Sequence, residues 1–173
     1  MVEQQAIAET DLRREVAMLL PQLRGLARFL ARDRSEADDL VQEAVLRALR
    51  SLAQFQPGTS VRAWLFTILR NVFYEQARRR RRERAAIAQQ TPDSSVAAHQ
   101  PHETDLADLA AQFRTLPPSL REALILVGAQ ELTYEEAAAI CGVPVGTMKA
   151  RVSRARRQLA ALVEPPTAEP DHA

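Results

Sequence analysis

The stretch TYEEAAAICGVPVGTMKARVSRARRQL, residues 133–159, predicts two short helices joined by a tight turn. Thr133 is a favourable N-cap, and Glu136 follows at the three-residue spacing of a capping box. Gly142 can adopt the left-handed conformation that ends a helix, and Pro144 cannot continue one. A second helix is expected after the proline. The stretch therefore predicts a helix-turn-helix motif.

The second helix of this motif has one apolar and one cationic face. At about 100° per residue, one stripe collects its apolar residues, which are Met148, Val152, Ala155 and Leu159. Between residues 145 and 159 there is no acid and there are five cations, Lys149, Arg151, Arg154, Arg156 and Arg157. Such a face is typical of a helix that reads DNA. The alternative is a helical hairpin with a solvated basic face, in which both signs of charge would be expected.

The composition of the whole chain favours an all-α protein. Its 173 residues are 46% hydrophobic, with few aromatic residues and five glycines, and no alternating pattern indicates a strand. Residues 85–104 have the polar and Pro-containing composition of a linker, and residues 164–173 that of a disordered acidic tail. The sequence therefore predicts two small helical domains, at residues 11–84 and 105–163, joined by a flexible linker.

The charge of the chain is strongly segregated. The net charge is +1, but residues 145–159 carry +5 and residues 70–84 carry another +5, which leaves −9 for the rest. Two basic islands in an acidic chain predict two contacts with nucleic acid and a further partner for the acidic surface.

Three helical segments are predicted in the first domain, and the first of them begins at Asp11 and is kinked or divided at Pro21. The helix at residues 36–52 has acids in its first half and a broad apolar face, which indicates a protein partner beyond its own domain, although the acids also fit ordinary capping. The helix at residues 61–82 follows a Pro-Gly turn and ends in five consecutive arginines. Hydroxyl residues at positions typical of N-caps precede the predicted helices, namely Ser35, Ser60 or Thr59, and Ser119. Glu122 follows Ser119 at the spacing of a capping box.

The residue types argue for a binding protein and against an enzyme. Cys141 is the single cysteine, which excludes a disulfide and a cysteine-based metal cluster, and its place predicts a buried small side chain. No phosphate loop, metal constellation or activated nucleophile is found, so we expect no cofactor and no metal. Neither a signal peptide nor a run long enough to cross a membrane is present, so we expect a cytoplasmic protein without membrane insertion.

Several ordered motifs give the chain a family resemblance. DDLVQE at residues 38–43, FQPGTSVRAWLFTILRNVFYEQARRRRRE at 55–83, LPPSLREALILV at 116–127 and the helix-turn-helix resemble, in this order, the extracytoplasmic-function (ECF) sigma factors of bacterial RNA polymerase. The wording of FTILRN, LVGAQELTYEEAAAICG and VGTMKARVSRAR is most similar to the group that directs the alphaproteobacterial general stress response, the EcfG type.

This resemblance implies roles for particular residues. The clamp helices of the largest core polymerase subunit would be bound by Asp39, Gln42, Glu43, Val45 and Leu49. The upstream (−35) promoter element would be bound by Thr147, Lys149, Arg151, Ser153, Arg154 and Arg157. Among these, Lys149 and Arg154 are the best candidates for reading bases, because cations match the two major-groove acceptors of guanine. The downstream (−10) element would be bound and melted by Thr59, Ser60, Trp64, Asn71, Arg78, Arg79, Arg80, Arg81 and Arg82.

The resemblance also implies regulation by partner proteins. An anti-sigma protein resembling NepR would hold the chain inactive, and a response regulator resembling PhyR would draw that inhibitor away. Two other functions stay open at this point. A helix-turn-helix repressor would act without polymerase, and a sigma-like partner-switch protein would capture an anti-sigma factor instead of starting transcription.

Overall fold

The computed structural model describes residues 2–31, 33–88, 113 and 115–163 of the chain. Within these ranges the regular secondary structure is all helical and has no strand, and the chain divides into two compact units. The all-α class predicted from the sequence is therefore confirmed. Most of the predicted linker, residues 89–104, and the predicted tail, residues 164–173, lie outside the described residues.

The first unit consists of four helices and a short 3-10 turn. They are α1 (Val2–Met18), α2 (Leu20–Leu30), α3 (Arg34–Arg50), the 3-10 turn (Leu52–Gln54) and α4 (Val61–Ala88). Helix α3 packs against α2 on one side and α4 on the other. The centre of this packing is fully buried and includes Leu23, Leu40, Leu65, Phe66 and Leu69. Because one apolar stripe from each helix closes this core, the opposite faces of α3 and α4 stay available for partners.

Ion pairs link α3 to α4 on their half-exposed flank. Arg47 donates from Nη1 to Glu75 Oε2 over 2.5 Å and from Nε to Glu43 Oε1 over 2.6 Å. Arg80 pairs with Glu36 near the opposite end of α3. The hydrogen bond that Arg47 donates to Glu75, followed by the one it donates to Glu43, raises the pKa of Arg47, and the Arg47 guanidinium lowers the pKa of Glu75. Since the start of α3 is joined to the later part of α4, the two helices run antiparallel.

The second unit contains three helices and a π-helical turn. They are α5 (Pro118–Leu124), the π-helical turn (Ile125–Ala129), α6 (Tyr134–Cys141) and α7 (Val145–Val163). Helix α5 packs on α7 through a cluster in which Leu116 and Leu120 lie against Ala155. Phe113, Leu124 and Leu159 pack around this cluster. The contact fixes the inner face of α7 and therefore also fixes which of its residues face outward.

Three helix boundaries in the first unit differ from the sequence prediction. Helix α1 begins at Val2 and not at Asp11, because nothing in residues 2–10 interrupts a helix. Helix α3 is capped by Asp33, whose carboxylate accepts from the Glu36 amide over 2.8 Å, and not by Ser35. Helix α4 continues past the expected end near residue 82 to Ala88. Residues 85–88, assigned to the linker from composition, are therefore helical.

The start of α5 also differs from the prediction. Ser119 was expected to cap this helix with Glu122 completing a capping box, but the helix begins at Pro118 and has no side-chain cap. Proline suits the first position of a helix because its fixed φ is helical and its missing N–H would have no partner there. Glu122 is instead a buried side chain, only 1% exposed. The capping-box prediction was wrong because the proline starts the helix at residue 118, two residues before the start that a Ser119 cap implies.

Candidate nucleic-acid interface

The helix-turn-helix predicted from residues 133–159 is present in detail. The Thr133 amide donates to Glu136 Oε2 over 2.8 Å, and the Glu136 amide donates to Thr133 Oγ1 over 3.1 Å, which completes the capping box. Gly142 has φ of +64°, as the left-handed end of a helix requires. Helix α7 then starts immediately after Pro144. Cys141 is buried, as its position predicted.

Helix α7 separates an apolar inner face from a polar outer face. Met148, Val152 and Ala155 are at most 1% exposed, and Leu159 packs beside them. Four of the predicted DNA-binding residues are exposed, namely Lys149, Ser153, Arg154 and Arg157, and the other two, Thr147 and Arg151, are half-buried. The predicted separation of the faces is therefore confirmed, and the exposed face carries positive charge along several turns.

Two of these cations make local contacts that orient them. Lys149 Nζ lies 5.7 Å from the centre of the Tyr134 ring, within range of a cation–π interaction. Arg154 donates from Nε to the Ala150 carbonyl over 3.3 Å, which is a long hydrogen bond. Neither contact neutralises the charge. The guanidinium of Arg154 keeps its terminal nitrogens for a bidentate interaction.

The loop before α4 has a conformation defined by Gly58 and by local hydrogen bonds. Gly58 has φ of +88°, a conformation that would be strained for a residue with an L side chain. Thr59 donates from Oγ1 to the Gln56 carbonyl over 2.7 Å, and Ser60 Oγ accepts from the Ala63 amide over 3.2 Å. Ser60 is therefore the N-cap of α4. It is one of the two residues, Ser60 or Thr59, that the sequence predicted for this position. Residues 56–60 are all exposed and form a short polar surface.

Trp64 connects the two ends of this loop. Its ring meets Phe55 edge to face, with centroids 5.2 Å apart and planes at 61°. Phe55 precedes the loop and Trp64 follows it, so the contact fixes the loop's width. Trp64 is half-buried, and this packing gives it a structural role beside the DNA contact predicted for it.

The five consecutive arginines of α4 do not form one uniform patch. Arg79 donates from Nε to Glu83 over 2.9 Å, and Arg80 turns to Glu36 on α3. The remaining three, Arg78, Arg81 and Arg82, are exposed and line a shallow groove with Ala85. Asn71 is exposed two turns earlier. Ion pairs with Glu83 and Glu36 thus reduce the repulsion among the five arginines, and the other three guanidiniums are exposed to solvent together.

The predicted polymerase-binding residues of α3 fall into two groups. Asp39 and Gln42 are exposed, whereas Val45 and Leu49 are half-buried. Glu43 is half-buried and accepts from Arg47, so it is already part of the link to α4. Sequence reasoning missed Leu46, which is 47% exposed and lies on the same face as Asp39 and Gln42 at helical spacing. The face therefore combines an acid, an amide and an apolar side chain.

In the described ranges, no group of three or more His, Cys, Asp or Glu side chains is arranged to hold a metal ion. None of the described helices combines the length and the apolar character that crossing a membrane requires.

Comparisons with known proteins agree on both units. Residues 16–83 match the family described as Sigma-70 region 2, and residues 106–159 match Sigma-70, region 4. The ECF RNA polymerase sigma factor EcfG of Rhodopseudomonas palustris is 47% identical over 159 residues, which are 88% of this chain and 85% of that protein.

Two solved structures share the fold. The sigma factor RpoE of Bartonella quintana, solved in complex with the anti-sigma factor NepR, has a TM-score of 0.76 and 42% identity, and the match covers 91% of this chain and 99% of RpoE. The complex of the anti-anti-sigma factor PhyR with NepR, also from Bartonella quintana, contains a chain with a TM-score of 0.59. The chain in that complex is 16% identical to the present protein. The match covers 86% of the present protein and 49% of the chain in the complex, and it establishes similarity of fold alone.

Proposed function

Because this chain belongs to the ECF sigma factors of bacterial RNA polymerase and is of the EcfG type, we propose that it directs core polymerase to promoters by three separate surfaces. The exposed face of α3 binds the core, α7 reads the upstream element, and the 56–60 loop with α4 binds and opens the downstream element. The observation that carries this proposal is the outer face of α7, which bears cations and no acid while its inner face is buried.

Upstream recognition follows from the geometry of α7. A helix of this size fits the major groove, where guanine presents two acceptors that a guanidinium can meet bidentately. Arg154 lies on the face opposite the buried stripe and Lys149 lies on its flank, and these two are the proposed base-reading residues. Thr147, Arg151, Ser153 and Arg157 are proposed to hold phosphates, which sets the register of the helix.

Downstream opening is proposed for the 56–60 loop and α4. The loop is short, polar and exposed, and the Phe55–Trp64 contact fixes the separation of its ends, so it can receive a base removed from the stack. Flipping a base costs a few kcal/mol. Asn71 can donate to and accept from the exposed base, and Arg78, Arg81 and Arg82 can offset the cost by contacts to the backbone phosphates.

Core binding is proposed for Asp39, Gln42 and the newly identified Leu46, with Val45 and Leu49 at the edge. An acidic start of the helix fits an electropositive partner such as the clamp helices of the largest core subunit. Glu43 contributes indirectly in this proposal, because its hydrogen bond orients Arg47 between α3 and α4. The chain then supplies recognition and the core supplies nucleotidyl transfer, so we propose that the chain is not an enzyme and that it acts in the cytoplasm.

Regulation is proposed by analogy with the RpoE–NepR complex. The 42% identity to RpoE over nearly its whole length makes an anti-sigma partner resembling NepR the expected inhibitor. A response regulator resembling PhyR would release the chain by binding that inhibitor. The higher identity to sigma factors than to the chain of the PhyR–NepR complex favours a transcription factor over a partner-switch protein.

Transcription in vitro tests the proposed function. Purified core polymerase is mixed with the full chain and a library of promoter fragments, and the RNA products are sequenced. The proposal predicts transcripts from a subset that shares one upstream and one downstream element, none of which appear with core alone. Addition of a NepR-like protein should abolish them. A product pattern identical to that of core alone would reject the assignment.

A further inference from the structure

A basic groove lies between α2 and α3, and apart from Gln42 its lining residues have not been assigned so far. It encloses about 400 Å³. It is lined by Arg24, Arg28, Arg34, Asp38, Val41 and Gln42. Three guanidiniums thus share one concave surface with a single carboxylate. Among the residues that the structure describes, these three arginines form no ion pair.

Helix stability does not account for the whole arrangement, although Arg28 lies in the last turn of α2, where the helix dipole favours a cation. Arg24 and Arg28 stand four residues apart on the exposed side of α2, and like charges at that spacing destabilise a helix. Arg34 is the first residue of α3, where the helix dipole favours an acid and not a cation. The cations therefore converge at some cost to the fold, which indicates a binding role for the groove.

The lining residues point to the same partner as the exposed face of α3. Gln42 belongs both to the groove and to the proposed core-binding face, so the two surfaces are continuous. The residues assigned to the promoter lie on the 56–60 loop, α4 and α7, and none of them lines the groove. Guanidiniums bind carboxylates through paired hydrogen bonds.

We propose that this groove binds acidic side chains of the polymerase core, next to the contact that Asp39 makes with basic ones. The proposal rests on the function proposed above and specifies the chemistry of its core-binding surface. Charges of opposite sign then alternate across the interface, from the arginines of α2 to the acid of α3. Such a pattern is satisfied in one register only, and a displaced partner would meet like charges. The groove thus contributes to the specificity and orientation of core binding.

The test measures the affinity of the full-length chain for purified core in the absence of DNA. Arg28→Glu is compared with Arg14→Glu, which reverses the charge of an exposed α1 arginine outside the groove. We expect Arg28→Glu to weaken binding by at least about tenfold and Arg14→Glu to leave it unchanged. The double variant Arg24→Gln with Arg28→Gln keeps the length and helix propensity of both side chains, and it should weaken binding with unchanged helicity.

Other outcomes would overturn the proposal. Equal affinities of Arg28→Glu and Arg14→Glu would show that the groove makes no contact with the core. An unchanged core affinity combined with weaker promoter binding by the holoenzyme would assign the groove to DNA phosphates instead. The Asp39→Arg variant distinguishes a failure of this inference from a failure of the proposed function. If Asp39→Arg weakens core binding and the arginine variants do not, the proposed function stands and this inference is wrong. If the unmodified chain does not bind core, both are wrong.

Discussion

Arg154→Ala should remove one of the two proposed base-reading contacts of α7 without disturbing the fold. The side chain is exposed, and its hydrogen bond to the Ala150 carbonyl is long and lies within its own helix, so the free energy of unfolding should change by less than about 0.5 kcal/mol. Loss of a bidentate contact to guanine costs about 1–3 kcal/mol. Upstream-element affinity should therefore fall roughly 5- to 150-fold. The preference at one base pair should be lost with it.

Two control substitutions on the same helix isolate this effect. Arg156→Ala also removes one exposed charge from α7, and we expect it to weaken binding to all sequences alike, because it was not assigned to a base. Val152→Ala removes two carbons from a side chain that is 1% exposed, which should cost about 2 kcal/mol of stability. The folded fraction of Val152→Ala should retain the original base preference.

Asn71→Ala provides the comparison for promoter opening. Asn71 is exposed on α4, in the unit that does not contain α7, so its loss should leave closed-complex formation nearly intact and reduce the open complex. The assay measures transcription by the holoenzyme from duplex templates and from templates with a premelted bubble at the downstream element. A bubble should rescue Asn71→Ala, because the cost of unpairing has been removed, and should not rescue Arg154→Ala.

The division between reading and melting is refuted by two results. One is a bubble template that helps both variants equally or fails to help Asn71→Ala. The other is an Arg154→Ala holoenzyme that keeps its selectivity at every upstream base pair.

Three further substitutions test other parts of the structure. Because Arg47 lowers the pKa of Glu75, this pair stabilises the fold above the ordinary glutamate pKa, and the stabilisation is lost as the pH falls through the lowered pKa. Glu75→Gln should therefore reduce the urea midpoint at neutral pH and have no effect on it in strong acid. Leu46→Ala should leave the urea midpoint almost unchanged and weaken core binding in a titration, since this leucine is 47% exposed in the free chain. Met148→Ala should destabilise the second unit by about 2–5 kcal/mol, seen as an earlier unfolding transition by circular dichroism, because the side chain is fully buried.

The helix-turn-helix could be predicted from sequence because its determinants are local. The capping box at Thr133, the left-handed Gly142 and the period of the apolar stripe each act within a few residues along the chain. A pattern that repeats over fifteen residues also fixes which side of α7 is buried. The exposed and buried faces of α7 therefore follow from the local sequence and do not require knowledge of tertiary contacts.

The links between α3 and α4 could not be predicted in the same way. Glu43 and Arg47 are four residues apart, a spacing that suggests an ion pair. The pairs Arg47–Glu75 and Arg80–Glu36 join different helices, so they depend on how α3 and α4 pack. Arg80 consequently differs from its neighbours in the arginine run, although the sequence presents five identical side chains. The cap of α3 was missed because both Asp33 and Ser35 can cap a helix and their residue types do not decide between them.

Permanganate reactivity of promoter thymines tests directly whether the chain and core polymerase together open the promoter duplex, because permanganate detects unpaired thymines. Free chain should bind duplex promoter poorly, while holoenzyme should bind with steep salt dependence. The account predicts reactive thymines at the downstream element with chain and core combined, and none with either alone. Tight, promoter-specific binding by the chain alone, without any thymine becoming reactive when core is added, would contradict it and identify a repressor.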